Sequence, residues 1–279
     1  MAGGWIGLNS YAAFVIAGGG KEPRGDRDPA DVGLAFSDVT YGGGRRAWLV
    51  DGEPGQPVVV IVHGFGGDRA GTLDLGPLLR QRGYALLFIE LGYLSSGRYG
   101  GGQREADDVS YAVDWASSRL SRPVVLLGFS GGGYASLAAV ARGAPVAAVV
   151  SDSAFVGFRQ VVAFRAHVDP VFTNLLPVLY PLVSGGGHLV DIARRIGDRP
   201  FAAPTLVIQG AADTTVPPGS GRRLAELTGG QLWQLPGVGH TKAFDADRVE
   251  YLDRVDRFIR RVVPRPGEAG TVRANAPGG

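Results

Sequence analysis

Three residues in this chain could together activate a hydroxyl group. Ser130 sits in Gly128-Phe129-Ser130-Gly131-Gly132, Asp213 in Gly210-Ala211-Ala212-Asp213, and His240 in Gly237-Val238-Gly239-His240. Each follows an apolar run, and the chain order is serine, aspartate, histidine. A serine hydroxyl is a weak nucleophile until a base takes its proton, and an imidazole does this best when a carboxylate holds it in the right tautomer. The order matches a nucleophile carried on a strained turn from strand to helix. Such a turn brings neighbouring backbone very close, so Gly128 and Gly132 are read as positions where a Cβ would clash. Backbone N–H groups at the start of the following helix would stabilise negative charge on an attacked carbonyl oxygen. Gly131 is one expected donor, and Phe65, in the His63-Gly64-Phe65-Gly66-Gly67 loop, is the second.

Each residue also has a plainer reading. A G-x-S-x-G pattern is weak evidence in a chain with 45 glycines. Asp213 could cap a turn through its own side chain, and His240 could simply open a helix. Asp152, in Val149-Val150-Ser151-Asp152, also ends an apolar run and competes for the role of the acid. Of the four histidines, His63 reads as an anchor for its loop, while His167 and His188 fall in the least regular region. With no cysteine and no histidine pair at ligand spacing, no metal site is expected. The coincidence of all three residues, each behind its own run and in this order, favours the catalytic reading.

The elements that must position them follow from periodicity. Residues 58–62, 84–89, 123–128, 146–151 and 204–210 are continuous apolar runs, the pattern of strands covered on both faces. Between them, 72–82, 104–119 and 132–142 have helical spacing, and 246–263 aligns Val249, Leu252, Val255, Phe258, Ile259 and Val262 on one side. This alternation predicts an α/β fold with an open, doubly wound, mostly parallel sheet. Ligands in such sheets bind beyond the carboxyl ends of the strands, where Ser130, Asp213 and His240 all lie.

Composition narrows the function classes. The chain has 279 residues, 45% hydrophobic and 19% charged, which suits one large domain with its own core. Against 26 acidic residues stand 28 basic ones, with no basic stripe, so no nucleic-acid partner is expected. Residues 1–33 read as an apolar segment followed by a linker, 34–263 as the main domain, and 264–279 as a disordered tail rich in Pro, Gly and Ala. Residues 1–20 carry no charge, but their apolar core is shorter than the roughly 20 residues that span a bilayer. A short helix packed on the domain or a frayed end is expected there, with weak membrane association as the alternative. The cytoplasm is the favoured compartment; the oligomeric state is left open.

In combination these motifs resemble the α/β-hydrolase superfamily over roughly residues 34 to 262. HGFGG resembles its oxyanion loop, GFSGGG its nucleophile turn, QGAADTTVP its acid loop and GVGH its histidine loop; READDVSYAVDW resembles the helix before the nucleophile strand. The nearest likeness is to small serine hydrolases beside the dienelactone hydrolase, acyl-thioesterase and peptidase-like branches. The resemblance implies about eight strands, no cofactor, and hydrolysis of a small-molecule ester or related acyl compound through an acyl-enzyme on Ser130. A peptidase, thioesterase, lactonase or perhydrolase would use the same three residues, and a non-catalytic binding protein could keep the same fold. One departure stands out. Where many relatives have D-x-R-G-x-G-x-S, this chain has Glu90-Leu91-Gly92-Tyr93-Leu94-Ser95-Ser96-Gly97, without the arginine.

Residues 154–200 are too long for a simple crossover and rich in large apolar side chains. They read as a small helical cap over the serine. Phe155, Phe158, Phe172 and Leu176, with Phe164, Leu175 and Tyr180, are the candidates to line an acyl pocket beneath it.

Overall fold

The continuous apolar runs become strands buried along their whole length. A computed structural model describes residues 2–18, 25–197 and 201–263. The strands are β1 Ser37–Tyr41, β2 Arg45–Val50, β3 Val58–Val62, β4 Ala85–Ile89, β5 Val124–Phe129, β6 Ala148–Asp152, β7 Thr205–Gly210 and β8 Gln231–Leu235. Every residue of β3 to β7 is buried. They form one eight-stranded sheet in the order β1-β2-β4-β3-β5-β6-β7-β8. β2 runs antiparallel to both β1 and β4, and the remaining pairs are parallel. From β3 the chain winds outward to β4, then crosses back to β5. The switch point therefore falls between β3 and β5, and it opens a crevice between the loops that leave them.

Among the described residues the helices are α1 Ala2–Ala17, α2 Gly76–Gln81, α3 Tyr93–Ser96, α4 Gln103–Leu120, α5 Gly131–Ala141, α6 Phe158–Ala166, α7 Leu176–Ser184, α8 Ile192–Ile196, α9 Gly219–Thr228, α10 Ala243–Ala246 and α11 Arg248–Val262. α4 and α5 cover one face of the sheet, and their alanines allow close packing on β3 and β5. α2 and α11 cover the other, where Tyr251, Leu252, Val255, Phe258 and Ile259 are buried at helical spacing. Asp247 caps α11 by accepting from the Glu250 N–H at 3.0 Å. The helix expected over 72–82 divides into a 3-10 turn, Arg69–Leu75, and α2. Pro77 explains the break, because it has no N–H with which to continue a ladder from the preceding turn.

The ends differ from the expected layout. Within the stretch read as a linker, Asp28 caps a 3-10 turn, Pro29–Val32, accepting from the Ala30 N–H at 2.8 Å while Asp31 accepts from the Asp28 N–H. Residues 19–24 and the tail 264–279 lie outside the described residues. α1 packs on the domain. It turns Ala12, Ala13, Ile16 and Ala17 inward, and the buried Asn9 side chain donates to the carbonyls of Trp5 and Phe172. No helix among the described residues is long and apolar enough to cross a membrane.

The insertion between β6 and β7 is helical, comprising α6, a 3-10 turn Pro170–Thr173, α7 and α8. α7 lies along α1, and α8 rests on α5. Tyr134 of α5 stacks on Phe155 at 4.4 Å between ring centroids, with its hydroxyl donating to Val190. Tyr180 of α7 donates to the Tyr99 carbonyl at 2.5 Å. These bonds dock the insertion on the α4–α5 side of the sheet.

Candidate active site

The β5–α5 turn is as tight as its glycines suggest. Ser130 has φ 48° and ψ −115°, a conformation that costs a residue with a Cβ of order 1–3 kcal/mol. It is held there by its N–H, which donates to the Asp152 carbonyl at 2.8 Å. A Cβ on Gly132 would stand 2.3 Å from the carbonyl oxygens of Val62 and His63, and one on Gly128 would stand 2.7 Å from the Gly132 carbonyl. Both glycines are thus dictated by α5 pressing on the ends of β3 and β5.

Ser130, Asp213 and His240 come together. His240 Nε2 lies 2.9 Å from Ser130 Oγ, and His240 Nδ1 lies 2.7 Å from Asp213 Oδ2. Asp213 is buried, with a second set of donors on its carboxylate. Oδ1 accepts from the Thr215 and Val216 amides at 2.8 Å each, and Oδ2 also accepts from Gln209 Nε2 at 3.0 Å. Burial works to raise its pKa, but the bond with His240 and the Val216 and Thr215 amides outweigh it, leaving the group below the ordinary carboxylate value. A carboxylate held ionised orients Nδ1–H and leaves Nε2 free to accept from Ser130.

Asp152, the competing acid, makes no hydrogen bond with His240, whose Nδ1 is taken by Asp213. It is fully buried, and Oδ1 accepts from the Ser153 hydroxyl at 2.8 Å. Ser153 Oγ in turn accepts from the Thr241 N–H at 3.0 Å, so Asp152 reaches the histidine loop through the adjacent serine. Burial pushes its carboxyl up to about 6, against the lowering effect of its Ser153 bond and the neighbouring Tyr251 hydroxyl.

The Gly131 and Phe65 backbones pack closely against each other. A Cβ on Gly131 would lie 2.9 Å from Phe65 N, and neither amide has a protein acceptor among the described residues. Phe65 is fixed by its loop. Buried His63 bonds the Gly64 carbonyl through Nδ1 at 3.0 Å and accepts the Leu91 N–H at Nε2, 3.2 Å away. Burial lowers its pKa, which keeps the ring neutral, as these roles require. The Tyr93 hydroxyl completes the loop. It lies 3.2 Å and 3.0 Å from the Gly64 and Gly67 carbonyls and accepts from the Gly66 N–H at 3.2 Å. In the motif lacking the arginine, tyrosine therefore anchors the loop.

The cavity beside Ser130 measures about 340 Å³. Its walls come from the β3 loop and the segment after His240, with Phe65, Leu75, Phe129 and Phe244 as apolar surface and Asp68 and Lys242 as polar surface. None of Phe155, Phe158, Phe172 and Leu176 lines it. Phe155, Phe158 and Leu176 are buried in packing, the first two in an aromatic cluster with Tyr134, and Phe172 is 49% exposed beside α1. The expectation that these residues wall an acyl pocket fails because large apolar residues in an insertion serve equally well to dock it. Sequence reasoning also missed Gln209, Tyr93 and Ser153. Gln209 had a usable signal, as a polar side chain inside a strand buried at every position.

The fold has many structural counterparts. An esterase from Pyrococcus furiosus, Pf2001, superposes with a TM-score of 0.67 at 20% identity, covering 86% of this chain and 98% of that one. The chain has the α/β-hydrolase fold. Est2, an esterase from Thermogutta terrifontis solved with propionate, matches this fold with a TM-score of 0.65 at 15% identity over 84% of this chain and 97% of that one. A puromycin-hydrolyzing peptidase from Mycobacterium tuberculosis matches with 0.64 at 19% identity over 84% of this chain and 40% of that one. No family model and no curated protein matches the chain in sequence.

Two outcomes follow from this geometry. Gly131→Ala should place a methyl group before the Phe65 amide and lower kcat by about two to three orders of magnitude, with a small change in KM, in ester hydrolysis. Asp152→Asn tests the raised carboxyl. An acid whose folded-state pKa is raised lowers stability once it must ionise, so the cost is absent at low pH and complete above about 6. The variant should therefore gain urea resistance relative to wild type as pH rises from about 4 to about 6 and keep a constant advantage above that; a difference that stays constant between acid and alkaline buffer contradicts the assignment.

Proposed function

We propose that this protein is a serine hydrolase of carboxylic esters or related acyl compounds. The observation that carries the proposal is the continuous relay from Asp213 through His240 to a hydroxyl on a strained turn, at 2.7 Å and 2.9 Å. A surface serine would need neither the turn nor the partners.

In this reading Ser130 Oγ attacks the acyl carbonyl while His240 Nε2 takes its proton. Asp213 stabilises the imidazolium that forms. The oxygen of the tetrahedral adduct turns toward the Phe65 and Gly131 amides, which are unpaired and need no reorganisation to receive it. The adduct collapses to an acyl-enzyme as His240 gives its proton to the departing alcohol. Water, activated by the same imidazole, then releases the acid and restores Ser130. The α5 N-terminus adds its positive dipole end to the oxyanion side. A cavity of about 340 Å³ with mixed walls suits a small acyl compound. The two esterases of the same fold support this substrate class, while the same relay would serve for a thioester, lactone or amide.

A fluorophosphonate probe should label the wild type and leave Ser130→Ala unlabelled; equal labelling removes the nucleophile assignment. In p-nitrophenyl ester hydrolysis, Asp213→Asn should lose about four orders of magnitude in kcat, because an amide favours the wrong imidazole tautomer. Retention of activity within a few-fold would move the acid elsewhere.

A further inference from the structure

The large apolar side chains left exposed gather in one place. Among the described residues eleven are exposed; four belong to α1, two to the turn Pro170–Thr173 and three to α7, leaving only Tyr111 and Val249 elsewhere. Tyr11 and Phe14 of α1 are 70% and 68% exposed, and Val178 and Leu182 of α7 are 66% and 78% exposed. α1 packs along α7 and against that turn, so these side chains share one surface. Neither residues 2–18 nor residues 170–187 contain a charged side chain. α1 is apolar on its outer side as well as its inner one, which a helix facing only water does not need.

The border of this surface is basic. Arg104 donates to the Gly185 carbonyl at the end of α7, and Arg98 lies beside the same glycine. Arg159 donates to the Pro170 carbonyl at 3.2 Å. Next to α7, a cavity of about 360 Å³ is bordered by Pro177, His188, Arg159, Arg194 and Arg195, with Asp191 as its acid. None of these arginines forms an ion pair among the described residues. The nearby carboxylates are engaged elsewhere: Asp169 caps at the Val171 N–H and Asp191 at the Arg194 N–H, Glu105 accepts from the Gly100 and Gly102 amides, and Asp107 and Asp108 pair with Arg142 and Arg45.

We propose that the α1–α7 face docks on the surface of an anionic phospholipid bilayer. The exposed apolar side chains enter the headgroup and acyl boundary, and the surrounding arginines meet lipid phosphates, the cavity beside α7 giving one phosphate a basic enclosure. Charge complementarity selects this occupant. A second copy of the chain would bring the basic borders together with no unengaged carboxylate beside them, among the described residues, to offset them. The tail 264–279 is a poor cover, since Val272 is its one large apolar residue. Docking here is independent of Ser130 chemistry, because none of these residues borders the cavity beside that serine.

Flotation of the full chain with vesicles tests this. Wild type and Ser130→Ala should both float with vesicles containing phosphatidylglycerol and bind phosphatidylcholine vesicles much more weakly, with binding falling as salt rises. Phe14→Ser combined with Leu182→Ser should weaken binding at least about tenfold. Arg98→Gln combined with Arg104→Gln should weaken it by about twentyfold on the anionic vesicles only. Probe labelling of Ser130 in both double variants monitors folding. Absence of wild-type binding, or equal binding by the wild type and both double variants, overturns the proposal. So does a wild-type dimer in light scattering that ignores vesicles and is broken by the Phe14→Ser, Leu182→Ser pair.

Discussion

Everything at this site depends on how closely the start of α5 approaches the end of β3. Gly132 lies against the Val62 and His63 carbonyls with no room for a methyl group. That approach bends the chain at Ser130 into a backbone conformation that a serine does not choose alone, and the Asp152 carbonyl holds it there. The local cost of order 1–3 kcal/mol is small beside the burial of five fully covered strands and the helix that packs on them. The same contact sets two distances at once. It lifts the hydroxyl clear of the sheet and brings the Gly131 amide beside that of Phe65. A looser turn would lose both.

Precision elsewhere comes from loops bonded to one another. The Ala211 and Ala212 amides donate to Leu235 and Val238 at 2.8 and 2.9 Å, tying the acid loop to the segment leading to His240. Thr241, with φ 53°, is fixed from the other side by Ser153. The imidazole is therefore held between β6 and β7. Asp152 is part of this support, although its burial disfavours the ionised form. It supplies the carbonyl that fixes Ser130 and the carboxyl that orients Ser153. One residue thus steadies both Ser130 and the loop that carries His240.

The sheet and the three site residues were legible because each leaves a one-dimensional trace. A strand covered on both faces is apolar at every position, and parallel strands direct their carboxyl ends to one rim, so Ser130, Asp213 and His240 could be placed together from order alone. Gly128 and Gly132 were legible for a steric reason. The insertion was legible as helical but not in its direction. Phe155 and Phe158 have the composition of a pocket wall and of a packing face alike, and only the stacking on Tyr134 separates the two. Tyr93 left no trace, since its effect is made by one hydroxyl across the crevice from residues 64–67. The break at Pro77 and the capped turn at Asp28 were visible in the residues, yet apolar spacing and polar composition pointed to a single helix and a linker.

The placement of the insertion changes where recognition must occur. With Phe155, Phe158 and Leu176 committed to packing, a ligand reaching Ser130 meets instead the loop after β3 and the segment after β8. These are the loops that carry the Phe65 amide and the His240 imidazole. The cavity wall and these two groups then share the same loops, so a change at Phe65 or Lys242 also displaces the backbone beside them. Leu75 and Phe244 are different, because they stand at the ends of these segments, anchored in the core beneath α2 and α11.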